Sequence, residues 1–540
     1  MSEKNEATVE QVHDMDYIES VKNNVQYVRE NRLKGFSWST PPAPIPEDKI
    51  VEIITADVAV VGGGIAGLAA GARCTQKGMS VVVVEKYKGL VARGAHIAAL
   101  ESKKMEELGV HIDKQQFARD WMHICGSRVN EELLWLYIDK SGAALQWLLD
   151  IGGDSIECAL HGGHYKGPDF TEYPGTHFIM QKPESTKYRY KGGAVLMCEM
   201  LQNVILEGGN TIIRKTRVEQ LEKDENGRVT GFIAKGEDGQ YRRFVGTKGV
   251  ILATGDIGGD PEMLAAFCPL GLKPNRNGYS PPGLNTGDGH KMAYWAGAAF
   301  EDASWALSLH LLAYSIFCFF FLHVNRRGER FMNEDTWVQA KAIRCLEQPH
   351  GDFAFSIFDK KWFEEVGERA DICGGQFTDP LICFYGDKWS PDNGIDKTIE
   401  RYVKKGTCFK ADTIEELAEK MEVPVENLRK TVDRYNELCK MGKDVDFGKR
   451  AELLTTITEP PFYALKWGPA LLNVHGGVII DPKMHVLDKD SEPIPGLFAI
   501  GNVSGGLYGV DYPLLLNGNS HCRAITWALQ AADTIESESK

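Results

Sequence analysis

No CxxC pair occurs anywhere in the 540 residues, and the twelve cysteines are scattered. That argues against an iron–sulfur cluster, a zinc site or a disulfide framework within this chain. A reduced, cytoplasmic setting is the expected one. Runs of lysine and arginine are absent as well, and the net charge is −14. Nucleic acid is therefore not an expected partner. The first residues, Met1-Ser-Glu-Lys-Asn-Glu6, lack the basic, apolar and small-residue regions of a signal peptide. The apolar run over 311–322 is shorter than the ~20 residues that span a bilayer, and His310 and His323 flank it. We expect a buried strand or pocket wall there and no transmembrane segment. A membrane-touching surface is the alternative.

The chain does contain a strand–glycine–helix–strand signature. Asp57-Val-Ala-Val-Val-Gly62-Gly63-Gly64-Ile-Ala66-Gly67 opens it, and Ser80-Val-Val-Val-Val-Glu85 closes it. The continuous apolar strand suits a parallel sheet covered on both faces. Gly62 permits a tight turn, Gly64 a close approach to a pyrophosphate, and Gly67 close packing of helix on strand. The helix N-terminus at Ala66 offers free N–H groups and a positive dipole end to phosphate. Glu85 stands at the spacing that accepts from ribose hydroxyls. Together these predict a dinucleotide site.

Residues 1–50 are expected to form a helix (about 12–32) and a Pro-rich connector. The nucleotide fold follows over 51–294. Thr211–Arg214, Arg217–Leu221 and Val229–Ile233 are expected to form a short β-meander turning at Asn226-Gly227. A buried strand over 248–255 ends at Gly255. Residues 295–445 differ in texture and read as an inserted domain with helices over 413–421 and 424–440. Residues 446–540 return to the nucleotide fold and close with a helix over 520–535. The fold class is α/β.

In order along the chain come Ile251-Leu-Ala-Thr254-Gly255, Thr286-Gly287-Asp288-Gly289, Arg330-Phe-Met-Asn333-Glu334, Asp446-Phe-Gly-Lys449, Gly476-Gly477-Val and Gly496-Leu-Phe-Ala-Ile-Gly501-Asn502. With the fingerprint, this set resembles the FAD-dependent fumarate reductase, succinate dehydrogenase and 3-ketosteroid dehydrogenase flavoproteins. The resemblance implies FAD, a Rossmann-like FAD-binding domain with an inserted α+β capping domain, and a substrate between cap and flavin. It implies pyrophosphate and ADP-ribose contacts at Gly62, Gly64, Gly67 and Glu85, and adenine at the Val218 backbone. It places Gly255 near the pyrophosphate, Asp288 on the ribityl side, Asn502 at the flavin phosphates, where many members carry Glu, and Ser520 near the isoalloxazine. Asp256 stands where glycine is usual, which would alter phosphate contacts. His96 lies in the segment where some members attach FAD covalently, but not at the matching position. A non-covalent flavin is expected.

Departures from the family pattern carry the substrate argument. Fumarate chemistry needs cations that clamp two carboxylates. At the positions where the family supplies them, this chain has Val338, Tyr512, and Leu472 with Asn473; His475 is nearby. A dicarboxylate would leave charges unpaired in a partly dry site, at several kcal/mol each. Tyr508-Gly-Val-Asp-Tyr512-Pro513 resembles the tyrosine–proline of ketosteroid dehydrogenases. A phenol suits a neutral carbonyl that gains negative charge as an enolate.

Tyr512 is therefore the expected catalytic residue, with Tyr314 a second candidate and Tyr508 and Leu514 as pocket residues. The expected reaction is FAD-dependent oxidoreduction of a carbon–carbon bond conjugated to a carbonyl, led by reduction of a 3-oxo steroid or bile-acid-like enone. The partners would be a hydrophobic small molecule and an external electron donor or acceptor. Alternatives are a reductase of another unsaturated or aryl enoate, clamped by Arg326, Arg327 or Lys341, and a flavoprotein subunit of an electron-transfer complex.

Overall fold

The computed structural model describes residues 19, 22–23, 32–162, 165–169, 171–279, 281–311, 314–315, 320–373, 385 and 395–540. Most of the expected helix over 12–32, and 312–313 and 316–319 of the apolar run, lie outside the described residues. The chain separates into two compact units, Met1–Ala43 and Pro44–Lys540. In the first, Phe36 and Trp38 stack with centroids 5.8 Å apart. All that follows concerns the second.

Its main sheet runs in the order His485–Leu487, Pro493–Ala499, Tyr241–Leu252, Ile50–Val61, Val81–Val84, Thr211–Ile213. All neighbours pair in parallel except the first two. Val58 to Val61 and Val81 to Val84 are buried, as parallel strands covered on both faces must be. The helix Ile65–Gln76 and the closing helix Asn519–Glu538 pack against each other beside this sheet.

One strand assignment needs correction. Thr211–Ile213 is not part of a meander; it is the parallel neighbour of Val81–Val84 at the sheet edge. Lys215, at φ +56°, turns the chain away before Thr216–Lys223 begins. The antiparallel ribbon is Thr216–Lys223, Val229–Gly236 and the first half of Tyr241–Leu252. Gly227, at φ +81°, makes its turn.

A second sheet, all antiparallel, runs in the order Leu322–Val324, Ala354–Phe358, Phe462–Trp467, Cys408–Ala411. Its third strand, Phe462–Trp467, comes from beyond residue 445. Ile414–Met421 and Val425–Met441 bury Leu417, Met421, Leu428 and Val432 against Val324 and Ile357 of this sheet. Phe320 and Phe321 join a neighbouring core with Phe358 and Leu465, so the described end of the apolar run is internal. Two smaller assemblies complete the walls: Ala306–His310 with Ala470–His475, and His96–Ala98 with Thr176–Gln181 and Ile156–Leu160. No described helix is long and apolar enough to cross a membrane.

Candidate active site

A cavity of about 440 Å³ runs from the glycine fingerprint to the N-terminus of the closing helix. Gly62, Gly64, Ala66, Glu85, Val218, Gly255, Asp288, Asn502, Tyr512, Leu514 and Ser520 all line it. Gly67 lies just behind. A Cβ there would stand 1.9 Å from the Gly62 carbonyl oxygen, and one on Gly62 would stand 2.4 Å from the Ala253 carbonyl oxygen. The three chain segments meet this closely only because these positions are bare. No side chain caps the helix Ile65–Gln76, so its first N–H groups remain available to an anion.

At one end the cavity wall is charged. The Glu85 carboxylate accepts from Gly63 N (2.6 Å) and Tyr87 N (2.7 Å), which fixes it while leaving lone pairs for hydroxyl donors. Val218 sits beside a register shift that interrupts its ladder. Asp288 is bound by Lys86 Nζ at 2.9 Å and Arg217 Nη2 at 3.0 Å. Burial pushes its carboxyl up, but the two cations outweigh that and hold it down to about 2. Lys86 follows Glu85 and Arg217 precedes Val218, so Asp288 stands at the same end of the cavity as Glu85 and Val218.

The opposite end is lined mostly by uncharged side chains. Ser308, His310, Leu472, Asn473, Tyr512, Leu514, Ser520, His96 and His521 line it. Tyr512 stacks on His475 with centroids 4.4 Å apart and planes 12° apart. Its Oη accepts a long bond, 3.4 Å, from Ser520 N in the first turn of the closing helix. That leaves the phenolic proton free to donate to a ligand oxygen. Burial raises the Tyr512 phenol. Burial, then His521 and His310, push His96 down to about 3, and burial and Arg523 push His475 well below its ordinary range. His521 bonds the His96 carbonyl oxygen through Nδ1 at 2.7 Å.

Thr254 Oγ1 and Asn473 Oδ1 are buried without a hydrogen-bond partner, and both residues face this cavity. Orphaned polar atoms along a glycine-lined trough are what a bound dinucleotide would satisfy. The family model described as an FAD binding domain matches residues 57–520. The chain belongs to this FAD-binding family. It is 28% identical to the probable fumarate reductase Ifc3 of Shewanella frigidimarina, over 90% of this chain and 77% of that protein. It is 26% identical to the vinyl phenol reductase of Lactiplantibacillus plantarum, over 84% and 91%. It is also 26% identical to the 3-oxosteroid 1-dehydrogenase of Mycolicibacterium smegmatis, over 85% and 93%. The open conformation of a flavocytochrome c3 fumarate reductase matches at TM-score 0.70 and 26% identity, covering 94% of this chain and 83% of that one. The protein is thus an FAD-dependent oxidoreductase that acts on carbon–carbon bonds of unsaturated substrates.

Two expected site residues stand elsewhere. The Tyr508 hydroxyl is spent on Asn519 Oδ1 at 2.9 Å, with its ring between His475 and Arg523. It organises the loop beneath the cavity instead of lining it. Tyr314 packs its ring against Phe353 and under Lys466 Nζ, 4.2 Å from the centroid, and does not line the cavity. Asp256 does not line the cavity; its Oδ1 accepts from Gly258 N (2.7 Å) and Asn285 Nδ2 (2.8 Å), and its Oδ2 is buried without a hydrogen-bond partner. The alternative clamp is displaced too. Arg326 pairs with Asp352 and Arg327 with Glu329, and Lys341 is buried off the cavity.

Sequence reading missed Ser308, His310, Thr254 and Arg93. Arg93 lines the wall two residues beyond Val91, which bridges to Gly64. Its guanidinium lies beside Gly278, where an added Cβ would stand 2.6 Å from Arg93 Nη1 and 3.3 Å from the Leu471 carbonyl oxygen. Ser308 and His310 carry no motif. Pairing of Ala306–His310 with Ala470–His475 brings them to the wall.

Proposed function

We propose that the substrate is an unsaturated molecule whose double bond is conjugated to an uncharged oxygen function, with a 3-oxo steroid or bile-acid-like enone as the leading class. One observation carries the reading. The catalytic end presents a phenol whose oxygen is held by a backbone N–H and whose proton is left for the ligand, among side chains that burial keeps neutral. Such a donor stabilises a carbonyl oxygen that becomes an enolate. Leu472 and Leu514 supply apolar surface for a hydrophobic body.

Bound FAD supplies the hydride exchange at the β-carbon. Gly62, Gly64, Glu85, Val218, Thr254, Gly255, Asn502 and Ser520 would hold it without a covalent bond. Tyr512 polarises the carbonyl. Ser308 and His310, or a water between them, stand on the wall from which a proton can reach the α-carbon. Electrons come from, or go to, an external partner.

A second reading is an unsaturated phenol, favoured by the same neutral wall and by the likeness to a vinyl phenol reductase. Anaerobic reoxidation of the reduced enzyme by steroid enones, vinyl phenols, cinnamate and fumarate separates these. Fastest reoxidation by an enone supports the proposal. Fastest reoxidation by fumarate overturns it.

A further inference from the structure

Ser308, His310, Leu472 and Asn473 all line the Tyr512 end of the cavity. An unbroken strand turns consecutive side chains to opposite faces, so Leu472 and Asn473 should not share a wall. They share it because the ladder slips. Ser308 pairs with Asn473 but Leu309 pairs with Leu471, which leaves Leu472 as an extra residue. At the slip, Leu309 N donates to Gln339 Oε1 at 3.1 Å.

Gln339 is buried in the first turn of the helix Val338–Leu346 and does not line the cavity. That helix packs on the strand Ala306–His310. The other end of the Gln339 amide, Nε2, donates to Asp511 Oδ1. The same oxygen accepts from Tyr512 N at 2.8 Å. One side chain therefore ties the slipped wall strand to the residue that carries the phenol. An amide suits both bonds, since it accepts from a backbone N–H at one end and donates to a carboxylate at the other.

We propose that Gln339 is a positioning residue for the reaction: it fixes the Tyr512 phenol relative to the wall formed by Ser308, His310 and Asn473. A substrate spans that gap, with its oxygen on Tyr512 and its α-carbon toward Ser308 and His310. A misplacement of about 1 Å between such groups can cost about 10²-fold in rate. Gln339 touches neither substrate nor cofactor and acts through Tyr512. The inference rests on Tyr512 as the donor to the substrate oxygen, and not on the substrate class.

The test is kcat for whichever of a steroid enone, a vinyl phenol, cinnamate and fumarate reoxidises the reduced, FAD-loaded protein fastest. It is run well above the value of about 6 to which burial pushes Asp511, so that this carboxyl is ionised. Gln339→Met fills the same space without either bond and should lower kcat at least about tenfold. Combined with Tyr512→Phe, it should cost little more than Tyr512→Phe alone, because both remove one effect. Gln339→Glu sets two carboxylates against each other and should lose as much. Gln339→Glu with Asp511→Asn exchanges amide and carboxylate, rebuilds the bond, and should recover kcat to within about threefold. This exchange decides the matter should the Met variant fail to fold. An unchanged kcat in Gln339→Met, losses that multiply with those of Tyr512→Phe, or an exchanged pair no better than Gln339→Glu would each overturn the proposal. Fumarate as the fastest oxidant overturns the substrate reading alone, since the same comparison of variants is then made with fumarate.

Discussion

The two ends of one cavity hold charge in opposite ways. At the end lined by Glu85 and Val218, Asp288 lies between Lys86 and Arg217, which hold its carboxyl down to about 2. At the Tyr512 end burial pushes His96 down to about 3. The first end spends paired charges and backbone N–H groups on a ligand that is always the same. The second withholds charge, and a site that withholds charge selects against charged ligands through desolvation.

Four experiments would break or sharpen that contrast. Tyr512→Phe should cost about 10² to 10³ in kcat while leaving FAD affinity within about twofold. Stopped-flow reoxidation beside an FAD titration reads both, and an unchanged rate would make Tyr512 a packing residue. Glu172 comes next. Buried, it accepts from Tyr165 N and from Asn517 Nδ2 on the cavity wall, and burial pushes it up to about 7. The folded state therefore keeps a proton that the unfolded chain has lost above its ordinary value near 4.5. Stability should fall as pH rises through that window and level off above it. Glu172→Gln should remove on the order of 2 kcal/mol of that fall, read from denaturant midpoints at several pH values.

Glu85→Gln should weaken FAD about 10-fold to 100-fold through its loss of charged hydrogen bonds, with kcat at saturating FAD nearly unchanged. A drop in kcat instead would mean that the two ends are not separable. Tyr508→Phe is the smallest change. It should cost about 1 kcal/mol of stability through the lost bond to Asn519 and leave KM untouched. A shifted KM would return Tyr508 to the pocket.

The same contrast explains what the sequence made legible. Gly62, Gly64, Gly67 and Glu85 follow from local geometry: a tight turn, a bare helix start and a strand end at fixed spacing. Local demands write local motifs, so the α/β fold and a dinucleotide site could be read directly, and the resemblance of the ordered motifs assigned that site to FAD. The catalytic end is assembled by pairings between distant segments. Ser308 and His310 come to the wall on a strand paired with Ala470–His475, while the Tyr512 loop is closed by Asn519, which bonds Pro513 and Leu516 carbonyls. Nothing in spacing tells that the Tyr508 hydroxyl is spent inside that loop or that Tyr314 packs on Phe353. Thr211–Ile213 was misassigned for a related reason. A short apolar strand carries no mark of whether its neighbour is the next strand or an earlier one.

The central claim is that the catalytic end serves a neutral conjugated oxygen. Its most direct test is the ratio of kcat/KM for a steroid enone to that for fumarate, measured on the reduced, FAD-loaded protein under anaerobic conditions. The account predicts a ratio of at least about 10³, since placing even one unpaired carboxylate there costs several kcal/mol. A ratio below one would contradict it.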